Sequence, residues 1–405
     1  MKTNNNILPK GWEVKELGTI AKITSGGTPR RENKSYWGGN IPWVTTSLID
    51  FNEIENAEEF ITEEGLKNSS AKLFPSGTLL MALYGQGITR GKTAILKIDA
   101  TTNQACAAIL LNENQADKKF IFQYLISKYD DIRNLSNTGN QENLSGELVK
   151  SIKLNLPPLK EQTAIAALLS TWDKAIFTCE ALIKKYELRK KGLMQRLLSG
   201  KGKEYRLGDL GETFTGLTGK NKEDFGEGKP YIPYLNIFSN TKIDVSNFDY
   251  VRINKNDNQN KVQYGDIFFT VSSETPDEVG MASVLLDEIE ELYLNSFCFG
   301  FRLHDFKTLI PEFSAYFLRS IKFRKELLKL SQGATRFNLS KNNLMNSTVT
   351  LPKIEEQTKI ANILQSADKE ISLLKSKVEK LKEQKKWLMQ QLLTGKKRLK
   401  INNTI

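Results

Sequence analysis

Cysteine and histidine are scarce in this 405-residue chain, which has three scattered cysteines (Cys106, Cys179 and Cys298) and one histidine, His304. They provide no ligand set for a zinc site and no Cys–His pair suited to catalysis. No apolar run approaches the roughly 20 residues of a membrane span, and the polar first residues are unlike a signal peptide. We therefore expect a protein of the reducing cytoplasm with no membrane association.

Nucleotide-binding and catalytic motifs are also missing. The stretch Gly85–Thr93 resembles a phosphate-binding loop, but Gln86 stands where the first glycine is needed. A dinucleotide fingerprint would need glycine in place of Arg90. Asn155–Leu159 departs from the Asn-Pro-Pro-aromatic motif of amino-methyltransferases, because a leucine intrudes and the aromatic residue is absent. No nuclease-like set of acidic residues stands out, so we predict a chain that is not itself an enzyme and binds no cofactor or metal.

What the chain does contain is an internal repeat. Residues 156–203 and 351–398 align without a gap at a constant offset of 195, and 21 of the 48 positions are identical. Chance pairing of two soluble helices does not produce this similarity. The chain therefore carries a duplication.

Each copy shows an uninterrupted heptad pattern that ends near a glycine, at Gly200 and Gly395. Apolar steps of three and four predict two helices, each about 60 Å long, with one apolar stripe. The predicted seam residues are Leu169, Trp172, Ile176, Ile183, Tyr186 and Leu193 in the first copy, and Leu364, Ile371, Leu374, Val378, Leu381 and Leu388 in the second.

A stripe of this length needs a partner. The helices could dimerise with another protein, but duplication within one chain favours an intramolecular pair that sets a distance. Lys190 and Lys385 fall at the same inner position. There a lysine can fix the register of a coiled coil, or extend its amine past the seam into solvent.

Basic charge is concentrated at the carboxyl ends of the two predicted helices. Residues 184–203 and 380–400 each carry eight Lys or Arg and one Glu. These windows together carry +14, against +11 for the whole chain, so the rest is slightly acidic. The charge suits the helix dipole, and it also suits a partner that carries phosphates.

The segments that precede the two helices are weaker copies of each other. Examples are 12–18 with 205–211, 23–29 with 213–219, Ile41–Val44 with Ile232–Leu235, 74–85 with 262–273, 91–96 with 280–285, 103–106 with 295–298, and a predicted amphipathic helix at 120–128 with another at 313–320. The halves thus share a scaffold of strands and turns.

The loops between these shared segments differ almost completely, and loops on a fixed scaffold commonly carry recognition. Several are rich in Arg, Lys, Asn, Gln and Ser or Thr with aromatics, which are side chains that reach phosphates and base edges. For any single residue, a solvated loop position is an alternative role. The candidate DNA-contacting residues are Thr28, Arg30, Arg31, Lys34, Tyr84, Gln86, Arg90, Lys92, Asn140, Gln141, Lys220, Lys222, Ser273, Glu274, Arg336 and Asn338.

Taken together, these features resemble the specificity subunit of type I restriction-modification systems over the full length of the chain. The motif that carries the resemblance is Leu-Pro-Pro-Leu-x-Glu-Gln-x-x-Ile-Ala at 156–166, followed by Asp173-Lys174. It recurs at 351–361 with Asp368-Lys369, with Lys353 in place of the second proline and Ala367 in place of Trp172.

The resemblance implies an α+β fold. Two α/β target-recognition domains would be joined by two long conserved helices packed as an antiparallel coiled coil, with an internal pseudo-twofold repeat. The first recognition domain would span residues 1–155 and the central conserved helix 156–203. The second recognition domain would span 204–350, and the terminal helix with its basic tail 351–405.

The resemblance also implies a function. Each recognition domain would read one half of an asymmetric double-stranded DNA target, and the helices would set an unread spacer between the halves. Two modification (methyltransferase) subunits would bind S-adenosylmethionine, and two restriction (motor-nuclease) subunits would use ATP and magnesium. Two alternatives remain, namely a related two-subunit restriction system and a coiled-coil adaptor with no DNA role of its own.

Overall fold

The computed structural model describes residues 8–85, 88–135, 143–332 and 337–399, with the backbone alone at 331–332. The chain forms two compact units. Unit 1 comprises the described residues up to Glu180 and those from Ser376 onward, and unit 2 runs from Ala181 to Lys375. Each unit therefore combines one recognition scaffold with half of each long helix.

Unit 1 contains two mixed sheets and a two-stranded ribbon. Its strands are β1 (Glu13–Glu16), β2 (Ala21–Ser25), β3 (Trp37–Val44), β4 (Glu53–Ile54), β5 (Glu59–Ile61), β6 (Leu73–Phe74), β7 (Leu79–Ala82), β8 (Thr93–Leu96), β9 (Ala100–Thr102), β10 (Cys106–Leu111) and β11 (Lys153–Leu156). One sheet has the order β2-β10-β7-β8-β4, the other has the order β5-β3-β9-β6, and β1 pairs with β11. The helices that begin in this unit are α1 (Leu17–Ile20), α2 (Glu63–Lys67), α3 (Lys118–Ser127), α4 (Tyr129–Asn134), α5 (Gly146–Lys150) and the long α6 (Leu159–Leu197).

Unit 2 repeats this plan with variations. Its strands are β12 (Lys203–Arg206), β13 (Gly211–Thr215), β14 (Phe225–Ile232), β15 (Asp249–Val251), β16 (Ile267–Thr270), β17 (Ser272–Ser273), β18 (Ala282–Val284), β19 (Tyr293–Leu294), β20 (Cys298–Leu303), β21 (Ser331–Gln332), β22 (Phe337–Leu339) and β23 (Thr348–Leu351). The sheets have the orders β13-β20-β16-β18, β15-β14-β19 and β17-β22-β21, and β12 pairs with β23. The helices are α7 (Leu207–Leu210), α8 (Tyr234–Ser239), α9 (Pro311–Phe317), α10 (Ile321–Leu330), α11 (Lys341–Asn346) and the long α12 (Ile354–Leu392).

Strand pairing shows that the two scaffolds are equivalent in detail. In unit 1 both Trp37 and Ile41 lie opposite Ile61, which makes a bulge in β3. In unit 2 both Phe225 and Lys229 lie opposite one residue of β15, which makes the same bulge in β14. β3 pairs in parallel with β9, and β14 pairs in parallel with β19. An irregularity of this kind, shared by both units, supports duplication of the whole scaffold.

This pairing corrects two details of the sequence alignment. The predicted match of 12–18 with 205–211 is wrong by three residues, because Glu13 lies opposite Leu156 as Lys203 lies opposite Leu351, so Leu17 corresponds to Leu207. The predicted match of Ile41–Val44 with Ile232–Leu235 is wrong, because the strand equivalent to Ile41–Val44 ends at Ile232 and corresponds to residues 229–232. A helix, α8, already begins at Tyr234. Pro-Tyr occurs twice in this stretch, at 230–231 and 233–234, so residue identity alone could not choose between the two.

Each unit buries apolar residues from its scaffold and from both long helices. In unit 1, Phe120 and Leu125 of α3 pack in one cluster with Leu169 of α6 and Leu392 of α12. In unit 2 the equivalent cluster contains Phe313, Phe317, Leu364 and Leu198, together with the partly buried Leu197. The end of each long helix therefore completes the core that the beginning of the other helix helps to form.

The predicted helices have the expected extent but differ at their ends. α6 and α12 each have 39 residues, which corresponds to a length of about 60 Å. Gly395 has φ +74°, as expected of a glycine that follows a helix, whereas Gly200 is not in the left-handed region. A Cβ at Gly395 would lie 2.5 Å from Cγ of Pro9, so the amino-terminal segment also restricts this position.

Among the described residues, no helix is long and apolar enough to cross a membrane.

Candidate DNA interface and helix pair

The Glu-Gln pair of the repeated motif attaches each long helix to its scaffold. Nε2 of Gln162 donates to the carbonyls of Gln115 and Pro157, and its Oε1 accepts from the backbone of Asp117. Gln357 is equally buried and makes the equivalent three bonds in unit 2 with Thr308, Pro352 and Ile310. A buried amide with its donors and acceptor satisfied fixes the direction in which the helix leaves the scaffold.

The glutamate of the same motif behaves differently in the two units. Glu161 is 1% exposed and accepts hydrogen bonds from Nη2 of Arg398 at 2.6 Å and from the indole nitrogen of Trp12 at 3.2 Å. Arg398 also donates to the carbonyl of Lys10, so this cluster ties the carboxyl-terminal segment to the amino-terminal one. Glu356, the equivalent residue in unit 2, is exposed.

A lysine–aspartate pair joins the two long helices within each unit. In unit 1, Nζ of Lys385 lies 2.5 Å from Asp173, which also accepts from Nε2 of Gln123 at 2.7 Å. The carboxylate of Asp173 is therefore bonded both to the other helix and to α3 of the scaffold.

Unit 2 contains the equivalent arrangement, with one substitution. Lys190 lies 2.5 Å from Asp368, and this aspartate accepts from the hydroxyl of Tyr316 at 2.7 Å. Tyr316 takes the place of Gln123, and burial together with the Asp368 carboxylate raises its pKa. Both lysine amines are therefore paired across the two helices, as register-fixing lysines would be, and the alternative of an amine extended into solvent is wrong.

The pairing of charges also gives the direction of the helices inside each unit. In unit 1, Asp173 faces Lys385 and Glu180 faces Lys382, so the two segments run antiparallel. In unit 2, Lys190 faces Asp368 and, one turn earlier in the chain, Glu187 faces Lys375 at 2.8 Å. The two segments in unit 2 are therefore antiparallel as well.

All twelve predicted seam residues lie away from full solvent exposure. Four of them are buried, one in the first helix and three in the second, and the other eight are half-buried. The buried residues are Leu169, Leu364, Ile371 and Val378; the half-buried ones are Trp172, Ile176, Ile183, Tyr186, Leu193, Leu374, Leu381 and Leu388.

Part of the basic charge at the helix ends is used inside the chain. Lys190, Lys382, Lys385 and Arg398 are paired with acidic groups. Hydrogen bonding to Glu161 raises the pKa of Arg398. These four cations are committed to the helix pair, so any phosphate contact would have to come from the other basic residues of these windows.

Among the candidate DNA-contacting residues of unit 1, Arg31 is held by its own scaffold. Its guanidinium forms an ion pair with Glu59 and lies 3.9 Å from the ring centroid of Trp37 and 4.7 Å from that of Trp43. Thr28 donates to Gln104, a contact that links two of the turns. The remaining candidates of this region, Arg30 and Lys34, are exposed.

A second group of unit 1 candidates lies around Phe51. Lys92 forms an ion pair with Asp50 at 2.5 Å, and its amine lies 5.7 Å from the Phe51 ring centroid. Phe51 has φ +55°, a conformation that an L-residue rarely adopts, and its ring packs edge-on against Tyr129. Nε of Arg90 is buried and has no hydrogen-bond partner among the described residues.

The unit 2 candidates likewise include residues held by partners in their own scaffold and residues that are exposed. Lys220 forms an ion pair with Asp257, and its hydrogen bond lowers the pKa of that carboxyl group. Ser273, in β17, donates to Glu278 and lies opposite Phe337 of β22, in which Asn338 is exposed. Tyr84 of unit 1 and Lys222 and Glu274 of unit 2 are also exposed.

The candidates Gln86, Asn140, Gln141 and Arg336 lie outside the described residues. The roles of all sixteen residues in DNA contact stay predictions. Sequence reasoning did not find the acidic partners Asp50, Glu59 and Asp257, because each is distant in sequence from the cation it binds. No group of three or more His, Cys, Asp or Glu side chains suited to a metal occurs in the part of the chain that the structure describes.

The sequence matches the family described as the type I restriction modification DNA specificity domain twice, at residues 9–188 and 201–383. Together these matches cover most of the chain. The chain belongs to this family.

Individual proteins support the same assignment. The MjaVIII specificity subunit of Methanocaldococcus jannaschii is 27% identical over 97% of this chain and 94% of its own length. The MjaIX specificity subunit of the same organism is 30% identical, over 43% of this chain and 41% of that subunit. The crystal structure of a type I S subunit from M. genitalium is 16% identical, with a TM-score of 0.58 over 97% of this chain and 98% of that one, which shows a shared fold.

The predicted resemblance and fold class are therefore confirmed. The protein is a type I restriction-modification specificity subunit with two copies of the specificity domain.

Proposed function

We propose that this specificity subunit selects a bipartite, asymmetric DNA target, with one recognition scaffold for each half-site and the two long helices as the element that sets the spacer. The shared scaffold supports two readers of one kind, and the divergent loops support two different half-sites. The observation that carries the proposal is the pair of equivalent contacts Lys385–Asp173 and Lys190–Asp368. They fix the register of the helices once in each unit.

The specificity subunit does no chemistry in this proposal. Two modification subunits would bring S-adenosylmethionine, and two restriction subunits would bring ATP and magnesium, so those cofactors bind the partners and not this chain. The complex would act in the cytoplasm on double-stranded DNA. Weak base contacts by two separate domains add up only when the linker lets both bind at once, which makes spacing part of the specificity.

The test lengthens both helices while it preserves both lysine–aspartate pairs. Four residues of helix-forming sequence are inserted after Lys184 and four after Ser376, because each site lies between the two paired residues of its helix. One added turn is about 5.4 Å. Since duplex DNA rises about 3.4 Å per base pair, we expect a spacer longer by one or two base pairs and unchanged half-sites.

The readout is the methylated sequence in the genome of a host that carries the variant together with its modification subunit. The control inserts four residues after Lys184 alone, which shifts one helix against the other and should weaken folding. An unchanged spacer in a folded, active double insertion would rule out the helices as the ruler. Absence of any sequence-specific methylation with the unmodified chain would favour an adaptor without a DNA role.

A further inference from the structure

The repeat places a tryptophan in one long helix and an alanine at the equivalent position of the other. Trp172 of α6 corresponds to Ala367 of α12 at the offset of 195. In unit 2 the space beside Ala367 is an open groove of about 330 Å³. All of its lining residues belong to unit 2.

Apolar and polar side chains both line the groove. Leu193, Ile363 and Ala367 supply aliphatic surface and Tyr186 supplies a ring, while the exposed Arg189 and Glu370, here called the rim, add opposite charges. The other lining residues are Lys190, Asn362 and Ser366. Ile363 is 44% exposed, so it contributes solvent-accessible apolar surface to the groove. An apolar pocket surrounded by polar groups is the arrangement typical of a site that anchors one large side chain at an interface.

Unit 1 carries an aromatic side chain at the corresponding position. The position equivalent to Ala367 holds Trp172, whose side chain is half-buried. Leucines occupy the positions equivalent to Tyr186 and Leu193, and uncharged residues, Gln384 and Ala175, replace the rim pair Arg189 and Glu370. In unit 1 the chain itself therefore supplies an indole at this position, whereas unit 2 has an open groove with two charged residues at its edge.

We propose that the groove beside Ala367 receives a large aromatic side chain from a protein subunit that binds unit 2, namely one modification subunit of the complex. The proposal rests on the proposed function, which supplies that partner. Aromatic anchors bury much apolar area and are enriched where interfaces are strongest. Arg189 and Glu370 have opposite charges, so the rim suits a polar protein edge better than a run of phosphates.

The same argument predicts that the two units bind their partners unequally. Trp172 stands at the equivalent position in unit 1, so an anchor that fits the groove of unit 2 gives one modification subunit a contact that the other does not have. The loss of that contact should therefore remove one partner before the other.

The main test fills the groove with the side chain that unit 1 already has. In Ala367→Trp, the indole should occupy the space, leave the thermal stability of unit 2 unchanged or higher, and lower the affinity for one modification subunit by about tenfold or more, as removal of an interface anchor does. Native mass spectrometry of the full-length chain with its modification subunit measures how many copies bind, and titration calorimetry measures the affinities.

A second variant keeps the proposal testable if Ala367→Trp fails to fold. Ile363→Ser removes exposed apolar surface from the groove wall and should also weaken binding of one modification subunit. Leu188→Ser is the matched control, because Leu188 is 71% exposed on the same helix pair and does not line the groove. It should bind as the unmodified chain does.

The outcomes separate the groove from the proposed function. The groove proposal alone would be overturned if both Ala367→Trp and Ile363→Ser bound two modification subunits with unchanged affinity while the unmodified chain directed methylation. The groove proposal would also be overturned if these variants instead lost binding to a second copy of the specificity subunit. The same holds if they lost DNA binding while both modification subunits stayed bound. An unmodified chain that binds no modification subunit would overturn both proposals.

Discussion

Lys190 in the first long helix lies 2.5 Å from Asp368 in the second, and Tyr316 of the scaffold donates to the same carboxylate. This contact joins three parts of unit 2 through one aspartate. Lys385, Asp173 and Gln123 form its counterpart in unit 1. The arrangement connects the register of the helices to the position of the scaffold.

An exchange of charges tests that connection. Lys190→Asp or Asp368→Lys alone should destabilise unit 2 by about 2 kcal/mol, because each places like charges together in a partly buried site. The double exchange should recover about 1 kcal/mol or more, which is the coupling typical of residues in contact. Urea unfolding of the single and double variants measures this. Strictly additive effects would show that the pair does not hold the register.

Glu161 and Glu356 occupy equivalent positions but differ in environment, which makes one a control for the other. Glu161→Gln should destabilise unit 1 by about 2 kcal/mol, because it weakens the bonds with Arg398 and Trp12 in a buried site. Glu356→Gln is a change at an exposed position and should alter stability by less than about 0.5 kcal/mol. Hydrogen exchange should show faster opening around residues 9–12 in the first variant only. Equal effects in both variants would contradict this explanation.

The stability of unit 2 should depend on pH through Glu291. Hydrogen bonds from Lys229 at 2.6 Å and from Tyr293 at 3.0 Å lower the pKa of Glu291 from 4.5 to about 2. A carboxyl group with a lowered folded-state pKa stabilises the fold above its unfolded pKa, and this stabilisation is lost as pH falls through the folded value. The melting temperatures of the unmodified chain and of Glu291→Gln should therefore differ at pH 6 and converge between pH 4.5 and 2. A difference that stayed constant over that range would exclude Glu291 as the cause.

Arg90 is the candidate for which DNA reading can be separated from phosphate binding. Its Nε makes no hydrogen bond among the described residues, whereas the nearby Lys92 is paired with Asp50. Arg90→Ala should relax or weaken recognition of the first half-site by about 1–3 kcal/mol and leave the second unchanged. Methylome sequencing measures this, with Lys222→Ala in unit 2 as the control that leaves the first half-site intact. A uniform loss on all DNA would instead assign Arg90 to a phosphate contact.

Much of the architecture could be predicted because it repeats. The offset of 195 and the heptad pattern correctly indicated two long helices, and α6 and α12 indeed have the same length. Burial of Leu169 and Leu364 follows from the same periodicity, since apolar spacing of three and four defines one face of a helix. The scaffold alignment failed at 205–211, where Leu-Gly occurs twice, and at 232–235, where Pro-Tyr occurs twice within a few residues.

The candidate site was predicted less completely. The loop candidates were chosen by residue type, and type alone does not show whether a cation is already neutralised. Arg31, Lys92 and Lys220 each have an acidic partner within the same unit. Those partners come from other loops or strands, so no local pattern marks them.

By itself, the sequence determined the duplication, the helix stripes and the family, because these depend on periodicity and on residues close together in the chain. Only the tertiary structure decided which charged side chains form internal ion pairs, why Lys190 and Lys385 occupy inner positions, and where Ala367 leaves an open groove. The two lysine–aspartate pairs and the groove arise from contacts between segments more than a hundred residues apart, and the ion pairs of Arg31, Lys92 and Lys220 join residues 28 to 42 positions apart. Such contacts depend on how the scaffold brings the helices together, which residue spacing does not encode.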